Sequence, residues 1–182
     1  PSLPKGRFNS VCFVYRDSLY VFGGTDNSSN MNEIVRYDLS TQNSGEWTTI
    51  AKVNEANQRG GVAFVVEDKV YAGLGEKSNG IRNGFYVSSD SLTKWELIPS
   101  IPAQLGVISS GVYDEQKKSF FMIDNDGKIW EYNLTTEQWT SRSLWIRMKN
   151  YHMFMLDGSI YILGQDIYQK NKFTVYNPIW DN

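Results

Sequence analysis

Cations recur at matched places along this chain. Arg7 sits in KGRFNS, Arg59 in NQRGGV, and Arg147 with Lys149 in IRMKNY, each just ahead of an apolar run. Guanidinium groups repeated in this way suit a carboxylate, a phosphate or an acidic peptide, because arginine can grip two oxygens at once. Lys5, Asn57 and Gln104 occupy the same connecting segments. Three carboxylates, Glu55, Glu76 and Asp166, lie in neighbouring stretches. Two carboxylates, one accepting a proton and one donating it, can act as a general acid–base pair. No spacing singles out a pair among the three. A further polar set, Asn27, Asn30, Lys77, Asn79, Arg82, Gln165 and Tyr168, has the amides, cations and aromatic ring that suit a sugar or a peptide.

Other chemistry finds fewer residues. His152 is the one histidine and Cys12 the one cysteine, so an internal disulfide and a zinc site needing two thiolates are both ruled out. Within YHMFML, His152 is expected to be a hydrogen-bonded core residue, and Cys12 in VCFVY a small buried hydrophobe. The DNDG run at 124–127 opens like a calcium loop, but its aspartates are too close and no glutamate closes it. A tight hairpin turn is the better reading. GGTDNSSN joins two strands and opens no helix, which excludes a phosphate-binding loop. No metal and no cofactor is expected.

The elements that position these residues must come from a β-rich chain. At 182 residues, 41% hydrophobic and 14% aromatic, the chain can bury one sizeable core. A formal charge of −2 gives no general pull toward nucleic acid. No apolar run approaches the ~18 residues that span a bilayer. The opening PSLPKGRFNS has no apolar signal-peptide core.

One apolar strand recurs, as SLYVFGG (18–24), KVYAGLG (69–75), SFFMIDN (119–125) and SIYILGQ (159–165). Alignment superimposes Tyr20, Tyr71, Phe121 and Tyr161, which follow one another at intervals of 51, 50 and 40 residues. Another apolar run precedes each copy, at 10–15, 61–66, 108–113 and 151–156. A third strand follows with Tyr37, Tyr86, Tyr132 or Tyr176, and a fourth opens at Trp47, Trp95, Trp139 or Trp180. Four strands per unit at such a period predict a β-propeller. Its inner strands are expected to be buried on both faces, and its tyrosines and tryptophans to fill the gaps between blades.

With Gly23-Gly24, Tyr37 and Trp47 in place, the sequence resembles the kelch-repeat family. Gly73, Gly75, Tyr86 and Trp95 repeat the pattern; the third copy has Asp124-Asn125 instead of glycines, and the fourth has Gly164-Gln165. The resemblance implies an all-β, kelch-type β-propeller of about four four-stranded blades, part of a larger ring, with a self-contained four-blade ring as the alternative. Blades are expected at 8–52, 59–101, 106–144 and 150–182, the last incomplete, within a single propeller region. In kelch proteins the usual ligand surface is the face bearing the second-to-third-strand loops and the blade-to-blade loops. That implies a protein, peptide or glycan ligand, acidic in keeping with the cations, bound by Arg7, Asn27, Arg59, Lys77, Asn79, Arg82, Arg147, Lys149, Gln165 and Tyr168. Copper oxidases on kelch-like propellers use two histidines and a tyrosine linked to a cysteine, a set this chain lacks. Residues 59–75 look most like bacterial secreted or surface kelch repeats, which points to a secreted, periplasmic or cell-surface setting. LPKGRFNSVCFVYRDSLYVFGG also resembles the kelch-type mutarotases and epimerases of sialic acid, the alternative to a non-catalytic binding module.

Overall fold

A computed structural model describes residues 2–40, 45–80, 84–89, 91–102, 108, 110–124, 126–146 and 148–178. The chain divides into two compact units, residues 1–100 and 101–182, each built from two antiparallel sheets.

In the first unit, β1 (Val11–Tyr15), β2 (Ser18–Phe22), β3 (Glu33–Asp38) and β4 (Trp47–Lys52) form one sheet in sequence order. The second sheet is β5 (Val62–Val66), β6 (Lys69–Gly73), β7 (Phe85–Ser89) and β8 (Glu96–Leu97). The second unit holds β9 (Gly111–Asp114), β10 (Ser119–Ile123), β11 (Lys128–Asn133) and β12 (Gln138–Trp145), followed by a three-stranded sheet of β13 (Lys149–Leu156), β14 (Ser159–Gln165) and β15 (Asn171–Tyr176). Each sheet is an up-and-down meander, so each is one blade. Trp180, expected to open a last strand, lies outside the described residues.

Turn chemistry sets the register. Arg16 and Asp17 both take positive φ between Tyr15 and Ser18, as do Asp157 and Gly158 between Leu156 and Ser159. Such two-residue turns match the right-handed twist of the strands they join.

Packing joins the two blades of each unit. Val11, Phe13, Tyr20, Phe22 and Ile34 of the first blade share a core with Val70, Ala72 and Leu92 of the second. In the other unit Val112, Phe121, Ile123 and Ile129 meet Tyr151, Met153, Ile160 and Ile162. Each large side chain so buried contributes about 1.5–3 kcal/mol relative to exposure.

Three expectations need correction. The second strands β2, β6 and β10 are buried almost throughout, but β1 alternates buried and exposed residues, as does β13 over residues 151–154. Those first strands put one face in the core, and the intervening side chains stay in solvent. Cys12 and His152 fall on the exposed phase, so neither is a core residue. The aromatic signature residues divide between packing inside a blade and packing between blades. Tyr37 and Trp47 are direct cross-strand partners with rings 5.4 Å apart, and Tyr132 and Trp139 repeat this at 4.9 Å. Trp95 and Tyr176 do bridge blades as expected, meeting Phe22 at 5.1 Å and Phe121 at 6.5 Å, both edge-on.

Candidate ligand-binding loops

In the first unit the loops after second strands and the connections between blades are tied into one hydrogen-bonded platform. Phe8 and Thr25 exchange two backbone bonds of 3.0 Å, and Arg59 and Glu76 exchange two of 3.0 and 2.8 Å. The Asn30 amide donates to the Glu76 carbonyl at 2.8 Å, linking the second-to-third-strand loops of adjacent blades. Gln58 lies beneath them, its side chain held between the Glu55 carbonyl and the Gly75 amide. A lone glutamine in a loop leaves no periodic trace in the sequence.

The cations differ sharply in what they offer. Arg7 has no exposed side-chain surface; its guanidinium donates to Glu33 at 2.9 Å and to the Gly23 carbonyl at 3.2 Å. It holds the first blade's glycine turn from within and presents nothing to solvent. Lys52 adds a second cation to Glu33 at 3.6 Å. Arg59 is half exposed and reaches one Glu76 oxygen through two nitrogens, at 3.0 and 3.3 Å. Lys77 donates to the Tyr86 hydroxyl at 2.9 Å and lies over that ring. Asn27, in left-handed conformation, and Asn79 stand exposed on their loops. The Asn57 side-chain oxygen is buried and accepts no hydrogen bond among the described residues. Arg82, Gln104 and Arg147 lie outside those residues. Lys149 is known only as the first residue of β13, paired with Gln165.

Aspartates organise three of the loops after second strands. Asp26 accepts the amides of Ser28 and Ser29 and an ion pair from Lys5 at 2.6 Å. Lys5 foremost, then these amides, pull its carboxyl down to about 2. Because the folded value lies below the ordinary 3.8, this ordering is complete above the ordinary value and lost as pH falls through about 2. A carbon-13 titration of the Asp26 carboxyl should therefore give a midpoint near 2, moving back toward 3.8 in Lys5→Ala.

In the second unit Asp124 accepts the amides of Asp126 and Lys128 and the Trp130 indole at 2.8 Å. Asp124, Asp126 and Gly127 thus turn the chain between β10 and β11, the Gly127 amide donating to the Asp124 carbonyl at 3.0 Å. Nearby, burial and then the Asp124 charge push the Tyr151 hydroxyl well above its usual range. Asp166 builds the equivalent turn, accepting the amides of Tyr168 and Lys170. That turn lifts Ile167 and Tyr168 into solvent, Tyr168 being 74% exposed. Gln165 beside it accepts from Asn150 at 3.3 Å. Among the described residues no three His, Cys, Asp or Glu side chains gather in a metal-binding cluster.

Consecutive four-stranded meanders, glycine turns and the Tyr–Trp cross-strand pair define a kelch-type blade. Residues 6–54 match the Kelch motif. The chain is similar to the solved structure of YjhT, with a TM-score of 0.69 over 98% of this chain and 68% of that one, at 10% identity. No curated protein matches it. The fold is thus that of a kelch-type β-propeller, and its first blade carries the Kelch motif. Among the described residues no helix is long and apolar enough to cross a membrane.

Proposed function

We propose that this chain is a non-catalytic kelch module that binds a protein, peptide or glycan through the loops after its second strands and between its blades. The observation that carries this reading is the condition of the loop carboxylates. Glu76 is paired with Arg59, and Asp166 is occupied by amides of its own turn. Both carboxylates are engaged in holding their own loops, and Arg59, Asn27, Asn79 and Tyr168 lie exposed on the loops. A rigid aromatic with a polar tip is the side chain most often found at the centre of a binding site. The likeness of residues 59–75 to secreted bacterial kelch repeats supports a secreted, periplasmic or surface setting for such a module.

Immobilised protein screened against glycan and displayed-peptide libraries tests this. Tyr168→Ala is expected to weaken a ligand of the second unit by about thirtyfold, the size of a binding hot spot. A library hit whose affinity ignores both Tyr168→Ala and Arg59→Ala would remove the loops from the reading. The sialic acid mutarotase-like alternative predicts faster exchange between the anomers of N-acetylneuraminic acid, read by NMR. Exchange that disappears in Glu76→Gln would replace the binding module with an enzyme.

A further inference from the structure

Three blades begin with the same backbone device. Phe8 is bridged to Thr25 and Arg59 to Glu76 by paired backbone bonds, and in the second unit Lys149 pairs with Gln165. The residue after each is left-handed: Asn9 has φ of +51°, Gly60 of +69° and Asn150 of +50°. Phe8, Arg59 and Lys149 are therefore counterparts. One position earlier the side chains turn inward. Arg7 has no exposed side-chain surface, and Gln58 and Met148 are buried. A single step along the chain thus separates the residue that holds each loop from the residue displayed on it.

In the first unit two of these display positions stand side by side. The Gly60 amide donates to the Asn9 carbonyl at 2.7 Å, joining the residues that follow Arg59 and Phe8. Phe8 is 44% exposed, and among the described residues of this unit it is the one exposed aromatic ring. Arg59 has the first blade packed against its own, and its side chain is still 48% exposed. The position therefore faces solvent by its place in the blade, and not through nearness to the start of the chain.

The pair combines two kinds of recognition. A phenylalanine ring has no polar tip, so an aliphatic or aromatic side chain is its natural cover. Arg59 reaches Glu76 through Nε and one terminal nitrogen, which leaves guanidinium donors for a second carboxylate. Lys77, next along from Glu76, donates to the Tyr86 hydroxyl and not to an acid, so its charge adds to that of Arg59. We infer that Phe8 and Arg59 form a two-part site for a peptide that carries an apolar side chain within two positions of a carboxylate. The ring covers the first and the guanidinium holds the second. This rests on the binding-module reading and names the ligand class for the first unit's loops.

Selection of displayed random heptapeptides on the immobilised chain provides the test. Enriched peptides are expected to carry Asp or Glu within two positions of Leu, Ile, Phe, Tyr or Trp. With one such peptide made synthetically and labelled, fluorescence polarisation should show Phe8→Ala and Arg59→Ala each weakening binding by about tenfold or more. Arg59→Lys should recover only part of the loss, because an ammonium keeps the charge without the two-pronged grip. Urea midpoints establish that the variants fold. Exchanging the peptide's acid for its amide probes Arg59 without touching the protein: the amide peptide should bind more weakly and no longer respond to Arg59→Ala. Enriched peptides without this signature, or binding that ignores Phe8→Ala and the acid-to-amide exchange, overturn the inference and leave a binding module with its site elsewhere. Glycan binding with no enriched peptide overturns the ligand class alone. Failure to bind either library removes the binding-module reading as well.

Discussion

Gly23→Ala is expected to cost the chain about 3 kcal/mol or more, a large part of the ~5–15 kcal/mol by which a domain of this size is stable. Two separate physical effects combine there. Gly23 has φ of +64°, where a side chain costs about 1–2 kcal/mol. A Cβ built on it would also lie 2.4 Å from the Ala56 carbonyl oxygen and 2.6 Å from that of Gln58. Both are backbone atoms in the connection to the second blade, which packs in the core through Ala56. They cannot rotate aside as a side-chain tip would. Two controls separate the effects. Gly80 has φ of +79° with nothing within 4 Å of a built Cβ, so Gly80→Ala should lose only the conformational part, about 1–2 kcal/mol. Gly6 has open space and no unusual φ, and Gly6→Ala should fall within about 0.5 kcal/mol of the parent. Urea unfolding followed by circular dichroism and tryptophan fluorescence measures all three. If Gly23→Ala proves no worse than Gly80→Ala, the approach of the two blades is not what requires glycine there.

The same glycine marks the boundary between what could be read from the chain and what could not. Its recurrence ahead of spaced tyrosines and tryptophans exposed the blades, because every copy must solve the same packing problem. Second strands could be placed within a residue or two, since Tyr20, Tyr71, Phe121 and Tyr161 all lie in continuous apolar runs. First strands could not be judged in the same way. VCFVY looks uniformly apolar, yet only alternate residues of β1 meet the core, and Cys12 is left on the open phase. His152 falls on the exposed phase of β13 in the same way. A cation in a loop is equally silent about its partner. Arg7 and Arg59 stand in like places, yet Arg7 turns inward to Glu33 and Gly23, while Arg59 stays half exposed beside Glu76. The difference lies in Glu33 at the start of β3, far away in sequence. The aspartates that build the loops were partly legible: Asp26 precedes a serine pair, and Asp124 precedes Asp-Gly, both ordinary turn chemistry.

Gln58→Leu should be the next most damaging substitution, for a reason opposite to a cavity. Gln58 is 2% exposed and leucine fills a similar volume, so packing changes little. What is lost is polar satisfaction. The glutamine amide donates to the Glu55 carbonyl at 2.8 Å, and its oxygen accepts the Gly75 amide at 2.8 Å. Leucine leaves both backbone groups unpaired beneath the loop platform, at about 1–3 kcal/mol each. A loss of about 2–6 kcal/mol follows, independent of pH. Gln58→Glu separates hydrogen bonding from shape. An ionised glutamate can still accept from Gly75, but it sets a negative charge against the Glu55 carbonyl. The protonated acid can donate to that carbonyl as the amide does. Burial and this carbonyl both favour the neutral form, so the folded pKa lies above the unfolded value of about 4.3. Stability of the glutamate variant should therefore be nearest the parent below about pH 4 and fall as pH rises through the folded pKa. Urea midpoints across that range, compared with the flat offset of Gln58→Leu, decide the matter. A glutamate variant whose deficit does not grow with pH would mean that water already reaches Gln58, and that the loop platform is held by its backbone bridges alone.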